Sequence, residues 1–152
     1  YHRYGFTIAE ETLALMTKIS ISSELSTLSA ERVWQEMQRS LSEGGAEQGS
    51  PEVFFQVLHQ CQALKVIWPE LDALWDVPNP AQWHPEICSG VHTMMVLQQA
   101  VVLSENHNNK TAIRFAAICH DLGKGLTQKE YWPSHKGHEK AGLPLVENIA
   151  KR

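Results

Sequence analysis

The stretch Thr111-Ala112-Ile113-Arg114-Phe115-Ala116-Ala117-Ile118-Cys119-His120-Asp121-Leu122-Gly123-Lys124 decides the fold. Its first part, to Cys119, is apolar nearly all round and predicts a central, buried helix. Gly123 and Gly125 predict where that helix stops. Working outward, residues 87–104 read as another strong helix, and a loop with Trp132-Pro133 leads to a last helix from about 137. Towards the start, Thr7-Ile8-Ala9-Glu10 has capping-box form and opens a helix carrying Leu13, Met16 and Ile19. Ser29 is a second cap, ahead of Val33, Trp34, Met37 and Leu41. Residues 42–49 are too Gly-rich and polar to pack and read as a flexible loop, after which Ser50-Pro51 restarts a helix with the Ser50 hydroxyl as cap and Pro51 at the first position. Between 65 and 85, Pro69, Pro78, Pro80 and Pro85 exclude a continuous helix, while Trp68, Trp75 and Trp83 anchor the segment. No strand-like alternation of useful length and no internal repeat occurs, so the fold class expected is all-α.

The chain has 152 residues, 43% of them hydrophobic, enough for a core without disulfide staples. It reads as one domain, or a small domain plus part of another. Cys61, Cys88 and Cys119 are odd in number and far apart, which argues against a secreted disulfide scaffold and a CxxC zinc site. No apolar run approaches the roughly 20 residues that span a bilayer, and no signal-peptide pattern opens the chain. A cytoplasmic, non-membrane protein is expected. The first residue is not Met and Lys151-Arg152 falls inside a predicted helix, so an incomplete, inactive fragment is expected.

The net charge of -4 hides an asymmetry. Residues 1–50 sum to -3, residues 51–105 to -5, and residues 106–152 to +4. A protein whose main task is gripping a phosphate backbone is usually basic over most of its surface. Here only the last third offers cations to a phosphate, and a solvated face of mixed charge is the plain alternative.

That third, together with His92 before it, also carries the residues with chemistry. His92, His120, Asp121, Lys124, His135 and His138 combine imidazole and carboxylate groups of the kind that hold a water-activating divalent metal. Antiparallel helices joined by a short turn bring His92 alongside His120. The unwinding helix end lets His120 and Asp121 point the same way. His135 and His138 have the spacing of one helical face, and Lys124 adds a mobile cation for phosphate. Each has an ordinary reading alone: His92 at a core edge, His120-Asp121 by chance, His135 and His138 in solvent. Jointly they point to metal or phosphate chemistry, whereas His59, His84 and His107 keep the ordinary reading.

The pattern His92…His120-Asp121-Leu122-Gly123-Lys124 resembles the opening of an HD-superfamily phosphohydrolase domain. A longer resemblance runs through Ser29-Ala30-Glu31-Arg32-Val33-Trp34-Gln35-Glu36, Pro51-Glu52-Val53-Phe54-Phe55, Trp68-Pro69-Glu70-Leu71, Trp83-His84-Pro85-Glu86 and Gly90-Val91-His92-Thr93. Together these resemble the neck and body of bacterial CCA-adding enzymes, tRNA nucleotidyltransferases that carry a C-terminal HD domain. The resemblance implies a helical neck/body at 1–83 and the first part of an HD domain at 84–152. It implies tRNA as partner, with CTP, ATP and Mg²⁺ used by a polymerase head, and a possible homodimer. The carboxylates of such a head are missing here, because Asp72, Asp76 and Asp121 stand in no matching context. For the HD part it implies 2′,3′-cyclic phosphodiesterase, 2′-nucleotidase and phosphatase activity. His92, His120 and Asp121 would ligate Ni²⁺ or another divalent transition metal, and Lys124, His135 and His138 would serve catalysis. One departure stands out: HD domains add a distal Asp, whereas after Asp121 only Glu130, Glu139 and Glu147 carry carboxylates. The alternatives are a stand-alone HD-type nucleotide phosphohydrolase and a non-catalytic tRNA-binding helical module.

Overall fold

Apolar stripes at helical spacing, each bounded by proline, glycine or a polar cap, fold as helices that bury those stripes against one another. The computed structural model describes residues 7–43, 49–82, 85–86 and 88–151. Among these no strand forms, and an isolated antiparallel bridge joins Pro78 to Cys88. The fold is all-α. Helices α1 to α8 span Glu10–Ile21, Ala30–Glu43, Pro51–Gln60, Ala63–Ile67, Pro69–Asp72, Ser89–Ser104, Lys110–Cys119 and His138–Lys151. Short 3₁₀ turns occupy Leu25–Thr27, Ala73–Asp76, Leu122–Leu126 and Lys129–Tyr131. The tip of the expected 42–49 loop, the Trp83-His84 pair at the expected domain boundary, and both chain ends lie outside the described residues.

Met37 and Leu41 of α2, Phe55 of α3, Trp68, Leu71 and Leu74, Met94 and Leu97 of α6, Ile118 of α7 and Ile149 of α8 belong to one continuous core. The proline-broken segment contributes as its composition predicts: Trp68 is 2% exposed and Leu74 fully buried. Three local expectations fail. The capping box does not form, because α1 starts at Glu10 behind an extended Ala9 and has no side-chain cap. A box from Thr7 needs Glu10 in the third helical position, not the first. Ser50 likewise makes no side-chain cap, although Pro51 does occupy the first turn of α3.

The third concerns α7, which is amphipathic rather than buried all round. Ala112 and Ala116 face solvent, and the most buried residue is its one arginine, Arg114, at 0% exposure. Arg114 donates to Leu41 O at 2.6 Å, Val101 O at 3.3 Å and Ser104 Oγ at 3.0 Å. Its guanidinium meets carbonyls near the C-terminal ends of α2 and α6, the negative ends of both helix dipoles. Burial lowers its pKa, against the opposing charge of Glu105.

Candidate metal centre

The site begins where α6 starts. Ser89 N donates to Val77 O at 2.8 Å, fixing the helix start against residues 77–79. His92 then projects from the first turn of α6. On the neighbouring helix, His120 keeps helical backbone angles, whereas Asp121 (φ -112°, ψ 7°) has left the helix. The unwinding lets both side chains turn to one place, with His120 Nε2 3.2 Å from Asp121 Oδ2. The His92 and His120 rings lie 5.6 Å apart, and His92 Nε2 is 4.0 Å from Asp121 Oδ2. One ligand atom from each of His92, His120 and Asp121 lies within 4.8 Å of the others, so this group can hold a metal ion.

α8 closes the other side. A Cβ on Gly123 would collide with the His138 carbonyl and sit 2.6 Å from Gly142 N. Glycine is therefore required for packing, beyond the helix-ending role read from sequence. The close approach sets His138 Nε2 3.3 Å from Asp121 Oδ1. Lys124 Nζ contacts Asp121 Oδ2 at 2.7 Å and donates to Asn79 Oδ1 at 3.3 Å.

The remaining ring nitrogens define the protonation pattern. His120 Nδ1 lies 2.7 Å from Ala117 O, and His138 Nδ1 2.8 Å from His135 O. A carbonyl only accepts, so in both rings Nδ1 carries the proton and donates. His92 Nδ1 is 2.7 Å from Glu86 Oε1, whose side chain is 8% exposed. The Nε2 atoms of all three rings lie on the Asp121 side, and whichever ring is neutral has its lone pair there. A proton on Nδ1 held by a carbonyl or carboxylate is the usual support of a metal-bound histidine.

Burial alone raises the Asp121 pKa. Hydrogen bonds from His120 and Lys124, and their charges, outweigh it and hold the carboxyl well below its usual range. His120 is pushed down by burial and more strongly up by the hydrogen bond and charge of Asp121, so its pKa is raised. A metal ion at this Nε2 would have to displace a proton.

His135 sits apart from Asp121. It is 1% exposed at φ 47°, with Nε2 donating to Pro78 O at 2.9 Å and Nδ1 2.6 Å from Thr127 Oγ1. The structure brings Lys124 and His138 to Asp121, and uses His135 to tie the turn before α8 to residue 78. Glu130 and Glu139 are exposed, and Glu147 pairs with Lys151 at the surface, so none of the three later glutamates enters the group. His59 accepts an ordinary role, bonded to Asp72 at 2.7 Å and stacked on Trp75 at 4.3 Å. His107 is exposed, and His84 lies outside the described residues.

Two residues carry no role in the sequence reading. Glu86 appears there only within the stretch Trp83-His84-Pro85-Glu86, with no role at the site. Asn79, between Pro78 and Pro80, is 5% exposed and accepts from both Ser89 Oγ and Lys124. Lysine has no acceptor, so the Asn79 oxygen must face it. Its amide nitrogen is left as a buried donor without a partner beside the site.

Residues 90–152, which hold His92, His120 and Asp121, match the family model of the HD domain. Residues 5–74 match a second model, the probable RNA and SrmB-binding site of polymerase A. Over its whole length the chain is similar to part of several multifunctional CCA proteins. It is 56% identical to that of Mannheimia succiniciproducens over 153 residues, 55% to that of Shewanella frigidimarina over 152, and 57% to that of Pasteurella multocida over 153. All of this chain is covered, but only 35%, 34% and 35% of those proteins, so it spans about a third of their length. No solved structure matches it. Among the described residues no helix is long and apolar enough to cross a membrane.

Proposed function

We propose that this chain supplies the metal-dependent phosphohydrolase centre of a CCA-adding tRNA enzyme. The observation that carries the reading is three imidazoles with occupied Nδ1 atoms and Nε2 atoms around one carboxylate. In this reading His92, His120 and Asp121 hold the ion. A mostly imidazole donor set suits nickel or another divalent transition metal better than magnesium. Bound there, such an ion supplies Lewis acidity and lowers the pKa of water.

The chain's own groups do the rest. Lys124 brings a cation next to the carboxylate, where it balances charge developing on a phosphoryl oxygen. The buried Asn79 amide holds Lys124 in place and keeps a donor for an acceptor oxygen. His138 faces the second Asp121 oxygen and is positioned to hold or transfer a proton, while His135 orients it through the turn at 135–138. The substrates are 2′,3′-cyclic phosphates, 2′-phosphates and phosphate monoesters of RNA-end type. In the whole enzyme, residues within 5–74 face tRNA, and a head outside this chain adds C, C and A from CTP and ATP with Mg²⁺. A homodimer in the cytoplasm completes this reading, with the exposed Val91, Met95 and Val102 of α6 offering an apolar contact face.

The test is Asp121→Ala in the intact enzyme. Hydrolysis of 2′,3′-cyclic AMP should disappear while CCA addition to tRNA stays nearly unchanged. Equal loss of both activities, or hydrolysis that survives, overturns the reading.

A further inference from the structure

We infer that Glu86 is a positioning residue of the centre, which fixes His92 in the one tautomer that can take a metal. The inference rests on the metal reading above. Of the three histidines around Asp121, two give their Nδ1 proton to backbone carbonyls of their own segments, Ala117 and His135. Those acceptors come with the helix end and the turn, and no side-chain substitution removes them. His92 differs. It sits in the first turn of α6, and its Nδ1 proton goes to a side-chain carboxylate, Glu86 Oε1 at 2.7 Å.

That carboxylate comes from the segment just before α6, and its side chain is only 8% exposed. A carboxylate so poorly hydrated needs a donor partner, and His92 supplies one. The pair locks ring orientation, forces the proton onto Nδ1 and points the Nε2 lone pair at Asp121. An anionic acceptor also raises the basicity of the opposite nitrogen, which a neutral carbonyl does less well. His92 is the most remote of the group, with Nε2 4.0 Å from Asp121 against 3.2 Å for His120 and 3.3 Å for His138. It receives no direct orienting contact from Asp121 as short as theirs, so its aim depends most on the far side of its ring.

The test compares Glu86→Ala and Glu86→Gln with the unsubstituted chain by two measurements. Ring ¹⁵N shifts of His92 without metal report the tautomer, and calorimetry with nickel chloride reports affinity. Glu86→Ala should convert His92 from a pure Nδ1–H form to a mixture and weaken nickel by about 10- to 100-fold, the range of outer-sphere ligand changes. Glu86→Gln should restore the Nδ1–H tautomer, because its amide oxygen still accepts, but recover only part of the affinity. His120 signals and far-UV circular dichroism should stay unchanged in both. A His92 tautomer unaffected by Glu86→Ala overturns the inference, as does nickel affinity within twofold of the unsubstituted chain. Failure of the unsubstituted chain to bind nickel counts against the metal reading, and the tautomer measurement then decides the role of Glu86 alone.

Discussion

Asp121 is the residue on which the site turns, because Lys124 and three histidines converge on its carboxylate. Asp121→Asn should lower the pKa of His120 below its ordinary value of 6.5, since burial remains and the raising charge is gone. Titration by NMR reads this directly, and an unchanged His120 would show that Asp121 does not set it. The sign for stability follows from linkage. The depressed Asp121 carboxyl stabilises the fold above its ordinary value of 3.8, and that contribution is lost as acid protonates it in the folded state. The raised His120 contributes fully below 6.5 and ceases as pH rises through its folded value. Sequence made these residues legible because each carries its chemistry in its identity. It did not reveal Glu86 or Asn79, whose roles depend on burial and on which atom faces them. It also grouped His135 with His138 by spacing, although the left-handed backbone at His135 turns that ring towards Pro78 instead.

At the scale of elements, helix identity was legible and helix environment less so. Every long helix lies close to its predicted position, because apolar periodicity and proline placement are local signals. The burial of α7 was misjudged, since no local signal says that its arginine points inward to the carbonyls of two other helices. Arg114→Leu should therefore destabilise the fold by about 3 kcal/mol, because charged hydrogen bonds vanish and buried carbonyls lose their donor. Urea denaturation measures this, and a change within error would mean that water replaces the guanidinium. Arg114→Lys should rescue little, as an ammonium cannot fork to several carbonyls at once. Between the Leu122–Leu126 turn and α8, Gly123→Ala should cost about 1–3 kcal/mol through overpacking. It should also lengthen the His138–Asp121 contact while leaving the His92–His120 ring pair in place, visible as a shift in His138 ring signals alone.

For the whole molecule, the core joins the segments on both sides of the proline-rich stretch, so the two matched family regions share buried side chains. Charge follows the same map: the acidic first two-thirds forms most of the scaffold and lends His92, and the basic last third carries His120, Asp121, Lys124 and His138. A cavity of about 490 Å³ lined by Arg32, Phe54, Leu58, Ile67 and Trp68 includes none of the centre's residues. The close fit of α8 on Gly123 has a consequence for how the centre comes apart. One oxygen of Asp121 looks towards α6 and α7, and the other towards the helix that ends the described chain. Undocking of α8 alone would release the Oδ1 side and spare the Oδ2 side. Hydrogen exchange should then resolve two opening events on a single carboxylate, with α8 amides exchanging at lower free energy than those of α6. The carboxylate is where two separately opening parts of the fold report on each other.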